Sequence, residues 1–277
     1  MIKELLFGTA GIPISTQPRD TINGIKRVRQ LGLGCMEIEF VRQVNITKQK
    51  APDIKKIAEQ NNIALTCHGQ YYINLNSLDA KKRKESEERV LSAARIAWLC
   101  GAKSVTFHAA YLSGMERTKV YNIVKESLKK ICKILKDEGN KIDVRPELTG
   151  KTSQFGDLDE LIKISQEIEQ VWPCIDFAHY HARYNGKYNS YKEFAWVLDE
   201  LEKGLGKEIL KNMHIHMSGI KYSAKGELSH LELKHSDMNY KDLMKVFKEY
   251  KISGYVISES PNIEVDALLM KKTYDSL

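Results

Sequence analysis

The sequence predicts an α/β chain folded as a (β/α)8 barrel of the TIM type, in a single domain over residues 1–277. Three observations predict it. Strand-like runs alternate with amphipathic stretches along the whole chain, and such alternation argues for a parallel sheet. The units recur every roughly 30 to 40 residues, the size of one βαβ step. No Gly-rich phosphate fingerprint follows a strand, which favours a closed barrel over an open dinucleotide-binding sheet.

The elements follow in order. Apolar and β-branched runs predict strands at 5–9, 35–41, 64–68, 104–108, 143–147, 174–177, 213–217 and 255–258. Between them, helical spacing of apolar residues predicts helices near 20–31, 51–61, 80–100, 117–138, 157–170, 191–204, 240–250 and 263–275. Asp79 stands where an N-cap would open the third helix, and Gly101 where a C-cap would close it. Asp157 and Asn239 open two more, and Gly139-Asn140 closes the fourth. The longest expected loop runs from Gly219 to Met238, a length that in compact chains often carries function.

Composition narrows the classes. No apolar run is long enough to span a membrane. The N-terminal run, Met1 to Gly8, is too short for an export signal, so a cytoplasmic protein is expected. The net charge of +7 suits a polyanionic partner without requiring one. The five cysteines form no C-x-x-C pair, so neither a zinc knuckle nor a redox motif is expected. Cys35, Cys67 and Cys174 lie in apolar runs and read as small buried hydrophobes.

The chemistry gathers at strand ends. His68, His108, Glu147, Asp176, His179, His214, His230 and Glu259 come from six strands and one loop. A lone histidine near a strand is more often structural than a ligand. Closing a parallel barrel, however, brings all of these ends to one rim. Imidazole with carboxylate suits zinc, with manganese or iron as alternatives. There are more donors than one tetrahedral ion can use, so a cluster of two or three ions is expected. Such a cluster serves phosphodiester hydrolysis, but a sugar isomerase barrel uses similar ligands.

Certain runs then narrow the reading: His68-Gly-Gln-Tyr-Tyr-Ile-Asn-Leu75, Phe107-His108, Glu147-Leu-Thr-Gly150, Pro173-Cys-Ile-Asp-Phe-Ala-His179, Met213-His214 and Glu259-Ser-Pro261. With these the chain resembles endonuclease IV, the metal-dependent apurinic/apyrimidinic endonuclease family of the xylose-isomerase-like barrel group, over nearly its whole length. The resemblance implies that His68, His108 and Glu147 hold a first zinc. Glu147, Asp176, His214 and Glu259 would hold a second, and His179 with His230 a third. It implies hydrolysis on the 5′ side of an abasic site, with Glu147 and Glu259 as catalytic carboxylates. The implied cofactor is Zn2+, with Mn2+ as alternative, and the implied partner is double-stranded DNA with abasic sites, met by a monomer.

The resemblance also implies a DNA face. Tyr71 and Tyr72 occupy the place of an aromatic–aliphatic wedge, and Arg42 and Gln43 follow strand two where polar side chains enter the base stack. By their places after strands five and seven, Lys151, Thr152, Gln154 and Lys221 are the candidates to meet phosphates, against the alternative that each lysine is a solvated surface charge.

The chain departs from the family in three places. An Asp-x-His pair is expected in the loop after strand seven, but Leu228 stands two positions before His230. Glu227, Glu232 and His181 are the candidates to replace it. His214-Ile-His216 replaces His-Leu-Asn, and a period of two puts both imidazoles on one strand face. His216 is therefore the alternative ligand. Strand two carries Glu37-Ile-Glu39, with Glu39 either a polar group near the metals or one half of a buried ion pair. The competing functions are a sugar isomerase or epimerase and a non-catalytic binder of damaged DNA.

Overall fold

The computed structural model describes residues 4–277. The first three residues of the N-terminal run lie outside them. The strands are β1 (Leu5–Ala10), β2 (Cys35–Glu39), β3 (Ala64–His68), β4 (Ser104–Phe107), β5 (Asp143–Pro146), β6 (Ile175–Asp176), β7 (Met213–Met217), β8 (Gly219–Ser223), β9 (Gly226–Leu231) and β10 (Gly254–Ser258). The helices are α1 (Thr21–Gln30), α2 (Ala51–Gln60), α3 (Ala80–Leu99), α4 (Arg117–Asp137), α5 (Leu158–Glu167), α6 (Phe177–Arg183), α7 (Tyr191–Leu205), α8 (Tyr240–Glu249) and α9 (Glu264–Asp275).

Eight of the strands form one parallel sheet in the order β5-β4-β3-β2-β1-β10-β7-β6. The two ends of that order meet. Val144 bridges Val171 and Glu147 bridges Cys174, both in parallel, and Leu148 N–H donates to the Cys174 carbonyl at 2.9 Å. The expected barrel is therefore closed, which leaves this sheet without an open edge. Strands alternate faces, and apolar residues of both faces are buried: one against the barrel interior, the other against the helices.

The helices sit where periodicity put them. α4 buries Val120, Val124, Leu128, Ile131 and Leu135, a stripe of three- and four-residue steps. Asp79 caps α3 by accepting from Lys81 N–H at 2.8 Å. Asp157 opens α5 with a capping box completed by Glu160, a device contributing about 1 kcal/mol. Gly101, at φ +81°, turns the chain out of α3.

Two elements differ from expectation. The stretch after β7 is ordered as the antiparallel hairpin β8–β9. A seven-residue helix, α6, follows β6 directly, and every residue of it is buried. A helix buried on all sides has no polar face to reveal its period.

Candidate metal centre

The C-terminal strand ends form the site. His68 closes β3, His108 and Glu147 each stand one residue beyond a strand, Asp176 closes β6, and Glu259 follows β10. His179 lies on α6, and His230 on β9. Three groups of donors result at the rim, each with its ligand atoms within 4.8 Å of one another: His68, His108 and Glu147; Glu147, Asp176, His216 and Glu259; His179, Glu227 and His230; a fourth, Cys174, His214 and His216, lies deeper in the barrel.

Glu147 joins the first two groups. Its Oε1 lies 3.2 Å from His108 Nε2, and its Oε2 lies 3.4 Å from His68 Nε2 and 3.5 Å from His216 Nδ1. The carboxylate is buried, but His108, His216 and further imidazoles outweigh the cost of burial and hold its pKa well below the usual range. Burial alone would lower the pKa of His68; the hydrogen bond with Glu147 and the nearby Glu39 carboxylate overcome it and raise it to about 10. Burial also pushes the Asp176 carboxyl up.

The imidazoles are oriented from behind. A carbonyl only accepts, so His68 Nδ1–H donates to Gly69 O at 2.7 Å and leaves Nε2 for the site. His179 Nδ1–H meets Leu148 O at 3.1 Å, and His230 Nδ1–H meets Glu259 O at 3.2 Å. The Nε2 atoms of His179 and His230 then face each other at 3.2 Å, with Glu227 Oε2 3.5 Å from the former. Two ring nitrogens directed at one another and at a carboxylate form a donor set that suits a cation between them. The second group passes the same test: Glu147 Oε2, Asp176 Oδ2 and His216 Nδ1 are buried with no hydrogen-bond partner, which is costly unless an ion is accepted there.

His214, expected in the second group, is not placed there. It lies two residues lower on β7 and is fully buried. Its Nδ1 is 2.9 Å from Ser104 Oγ and its Nε2 3.0 Å from Glu37 Oε2. His216 instead points Nδ1 at Glu259 Oε1, 3.4 Å away. Both imidazoles face inward, as a period of two requires, and depth in the barrel separates them. Cys174, read as a plain hydrophobe, brings its sulfur near His214 and His216; burial pushes that thiol up to about 12.

Of the three candidates for the expected aspartate, Glu227 is the one that stands with His179 and His230. Lys221 pairs with Ser229 and Tyr222 with Glu227, so Leu228 is left over as a bulge. In a regular strand, residues three apart face opposite ways. The bulge re-aims Glu227, so that it and His230 reach the same imidazole. Gly150 makes room: a Cβ there would stand 2.6 Å from Glu227 Cβ. The two other candidates sit elsewhere, Glu232 against Lys234 at 2.8 Å and His181 against Asp237 at 3.2 Å.

Around this rim the expected DNA-facing residues are placed unequally. Tyr71 and Tyr72 are 67% and 64% exposed, and the Tyr71 ring meets His68 edge-on. Arg42, Gln43, Thr152 and Lys221 are exposed and Lys151 half-buried. Gln154 is buried. Its loop is pinned, with Arg183 donating to the Thr149, Lys151 and Gln154 carbonyls. Glu39 stands at the site with Oε1 unpartnered, and burial pushes its carboxyl up to about 8.

The family described as xylose isomerase-like TIM barrel matches residues 25–274. The chain belongs to this family. An uncharacterized protein of Methanocaldococcus jannaschii is 41% identical over 273 residues, covering 99% of this chain and 98% of its own. A probable endonuclease 4 of Mycoplasma pneumoniae is 23% identical over 214 residues, 74% of this chain and 72% of its own. Among solved structures, endonuclease IV from Thermus thermophilus superposes with TM-score 0.73 at 17% identity, covering 98% of this chain and 100% of its own. A D-tagatose 3-epimerase-like protein reaches 0.72 at 17%, covering 97% and 96%. At that identity both likenesses speak for the fold. As a member of the family the chain carries candidate metal sites at the expected rim, and among the described residues no helix is long and apolar enough to cross a membrane.

Proposed function

We propose that this chain is a divalent-metal-dependent endonuclease that hydrolyses the phosphodiester on the 5′ side of abasic sites in duplex DNA. One observation carries the reading: three adjoining donor groups share the rim, two of them through Glu147. A single-ion isomerase has no use for that many ligands. Relatives named endonuclease 4 support the same direction.

His68, His108 and Glu147 would hold one ion, Glu147, Asp176, His216 and Glu259 a second, and His179, Glu227 and His230 a third. Zinc fits this mixture of imidazole and carboxylate best, with manganese as alternative. Divalent ions bound there would make water acidic enough to attack at neutral pH and offset charge building on the phosphate.

The remaining work belongs to the chain. Glu147 is almost wholly enclosed, whereas the Glu259 side chain keeps 14% of its surface open. Glu259 is therefore the carboxylate placed to exchange a proton with entering water, and Glu147 the one that orients ligands on both sides. Tyr71 and Tyr72, next to His68, would fill the gap left by a missing base and hold the duplex bent. Arg42 and Gln43 would enter the stack beside them, and Lys151 and Lys221 would meet phosphates, giving salt-dependent binding.

The test is incubation of the zinc-loaded chain with a duplex carrying one tetrahydrofuran site, with and without chelator. A single chelator-sensitive nick, 5′ to the lesion with a 3′-hydroxyl, is expected. An intact duplex beside a metal-loaded chain that epimerises a free ketose would replace this reading with the sugar epimerase.

A further inference from the structure

Glu37 is a fully buried carboxylate on β2. Thr66 and His216 hydrogen-bond it, and a second imidazole, His214, stands at ion-pair distance without the alignment of a hydrogen bond; among the described residues no lysine or arginine meets it. Thr66 Oγ1–H donates to Oε2 at 2.8 Å, His214 Nε2 lies 3.0 Å from the same oxygen, and His216 Nε2 lies 2.8 Å from Oε1. Behind His214, Ser104 Oγ lies 2.9 Å from Nδ1. A chain of contacts thus runs Ser104, His214, Glu37, His216, across the barrel floor and up to the rim.

An imidazole has two nitrogens, and the hydrogen bond made by one decides what the other can do. With Nε2–H committed to Glu37, His216 presents Nδ1, buried and unpartnered, 3.4 Å from Glu259 and 3.5 Å from Glu147. We infer that Glu37 is a positioning residue that fixes His216 with Nδ1 toward the ion shared with Glu147, Asp176 and Glu259, and that His214 serves to anchor Glu37. The inference rests on the metal reading of the site. It accounts for two otherwise unrelated departures of the sequence, the extra acid on β2 and the doubled histidine on β7: one imidazole faces the ion, and the other holds the carboxylate that aims it.

The test compares Glu37→Met with Glu37→Gln. Both remove the negative charge, but only glutamine keeps an oxygen that accepts from His216 Nε2–H. Ions per chain are counted after dialysis at defined free zinc, and affinities are measured by competition with a chromophoric chelator. Folding is followed by circular dichroism. Glu37→Met is expected to weaken one ion per chain by about 10- to 100-fold, the usual effect of losing a partner behind a ligand, while the others stay. Glu37→Gln should remain close to wild type. His214→Asn, which leaves Glu37 in place but removes its anchor, should weaken the same ion less, and it carries the test if the methionine variant does not fold. Wild-type affinity in Glu37→Met and in His214→Asn overturns the inference, as does equal weakening of every ion. A wild-type chain that binds no zinc overturns it together with the metal reading; a loaded wild type with equally loaded variants overturns this inference alone.

Discussion

Glu227 and His230 lie three residues apart on one strand, yet both reach His179, with Nε2 to Glu227 Oε2 at 3.5 Å and Nε2 to Nε2 at 3.2 Å. The bulge at Leu228 makes this geometry, so the third donor group depends on it. Glu227→Gln should lower bound zinc by about one ion per chain at limiting free metal. Adding Leu228→Asp should not restore it, because residue 228 faces solvent, 56% exposed. Metal counting on the single and double variants checks both statements.

The same group needs Gly150 to stay small. A Cβ at that position meets the Glu227 side chain and lies 3.2 Å from His179 Cδ2. Gly150→Ala should push the hairpin off the β5 loop and destabilise the chain by about 1–3 kcal/mol, the usual range for overpacking. Thermal unfolding would register this, and the loss of third-site zinc should accompany it. An unchanged midpoint with full metal content would show that the hairpin yields without cost.

Tyr71 and Tyr72 are exposed on a loop that begins at His68, a candidate ligand. If they fill an abasic gap, Tyr71→Ala with Tyr72→Ala should cost about 1–3 kcal/mol per lost stacking contact. Affinity for intact duplex should change much less. Fluorescence anisotropy with matched lesion and intact duplexes separates the two. Equal weakening for both would remove the wedge role.

Bound ions stabilise whatever state binds them. At a hundredfold excess of free metal over the dissociation constant, about 2.7 kcal/mol per site is expected. For a chain of this size each kcal/mol moves the midpoint by roughly 2–4 °C. Chelator should therefore lower the melting temperature by several degrees, and zinc should restore it. His68→Ala should blunt that response.

Much of this was legible in the sequence because it is periodic. β3 and β7 begin and end where alternation of apolar residues put them, and α1 to α5 follow their amphipathic stripes. The candidate ligands stood out because most of them stand at or just past a strand end. What failed to show has physical reasons. α6 is buried all round and so lacks a polar face. β9 escapes notice because the bulge at Leu228 breaks its alternation. His214 and His216 share a face by period, and only the pairing of His216 beside Asp176 sets which one stands at the rim. Glu37 gave a sign of itself as an acid in an apolar strand, but while Thr66 is its neighbour on the adjoining β3, His214 and His216 come from β7, three strands away, and only the curl of the barrel brings them across to it.

The central claim is that these carboxylates and imidazoles share ions at one rim. An anomalous-difference map from crystals of the zinc-loaded chain, collected at the zinc edge, tests it most directly. Peaks are predicted beside Glu147, one toward His68 and His108 and another toward Asp176, His216 and Glu259, with a third at His179, Glu227 and His230. A map with no peak at Glu147, or with zinc held only by Cys174 and His214 in the barrel floor, would contradict the claim.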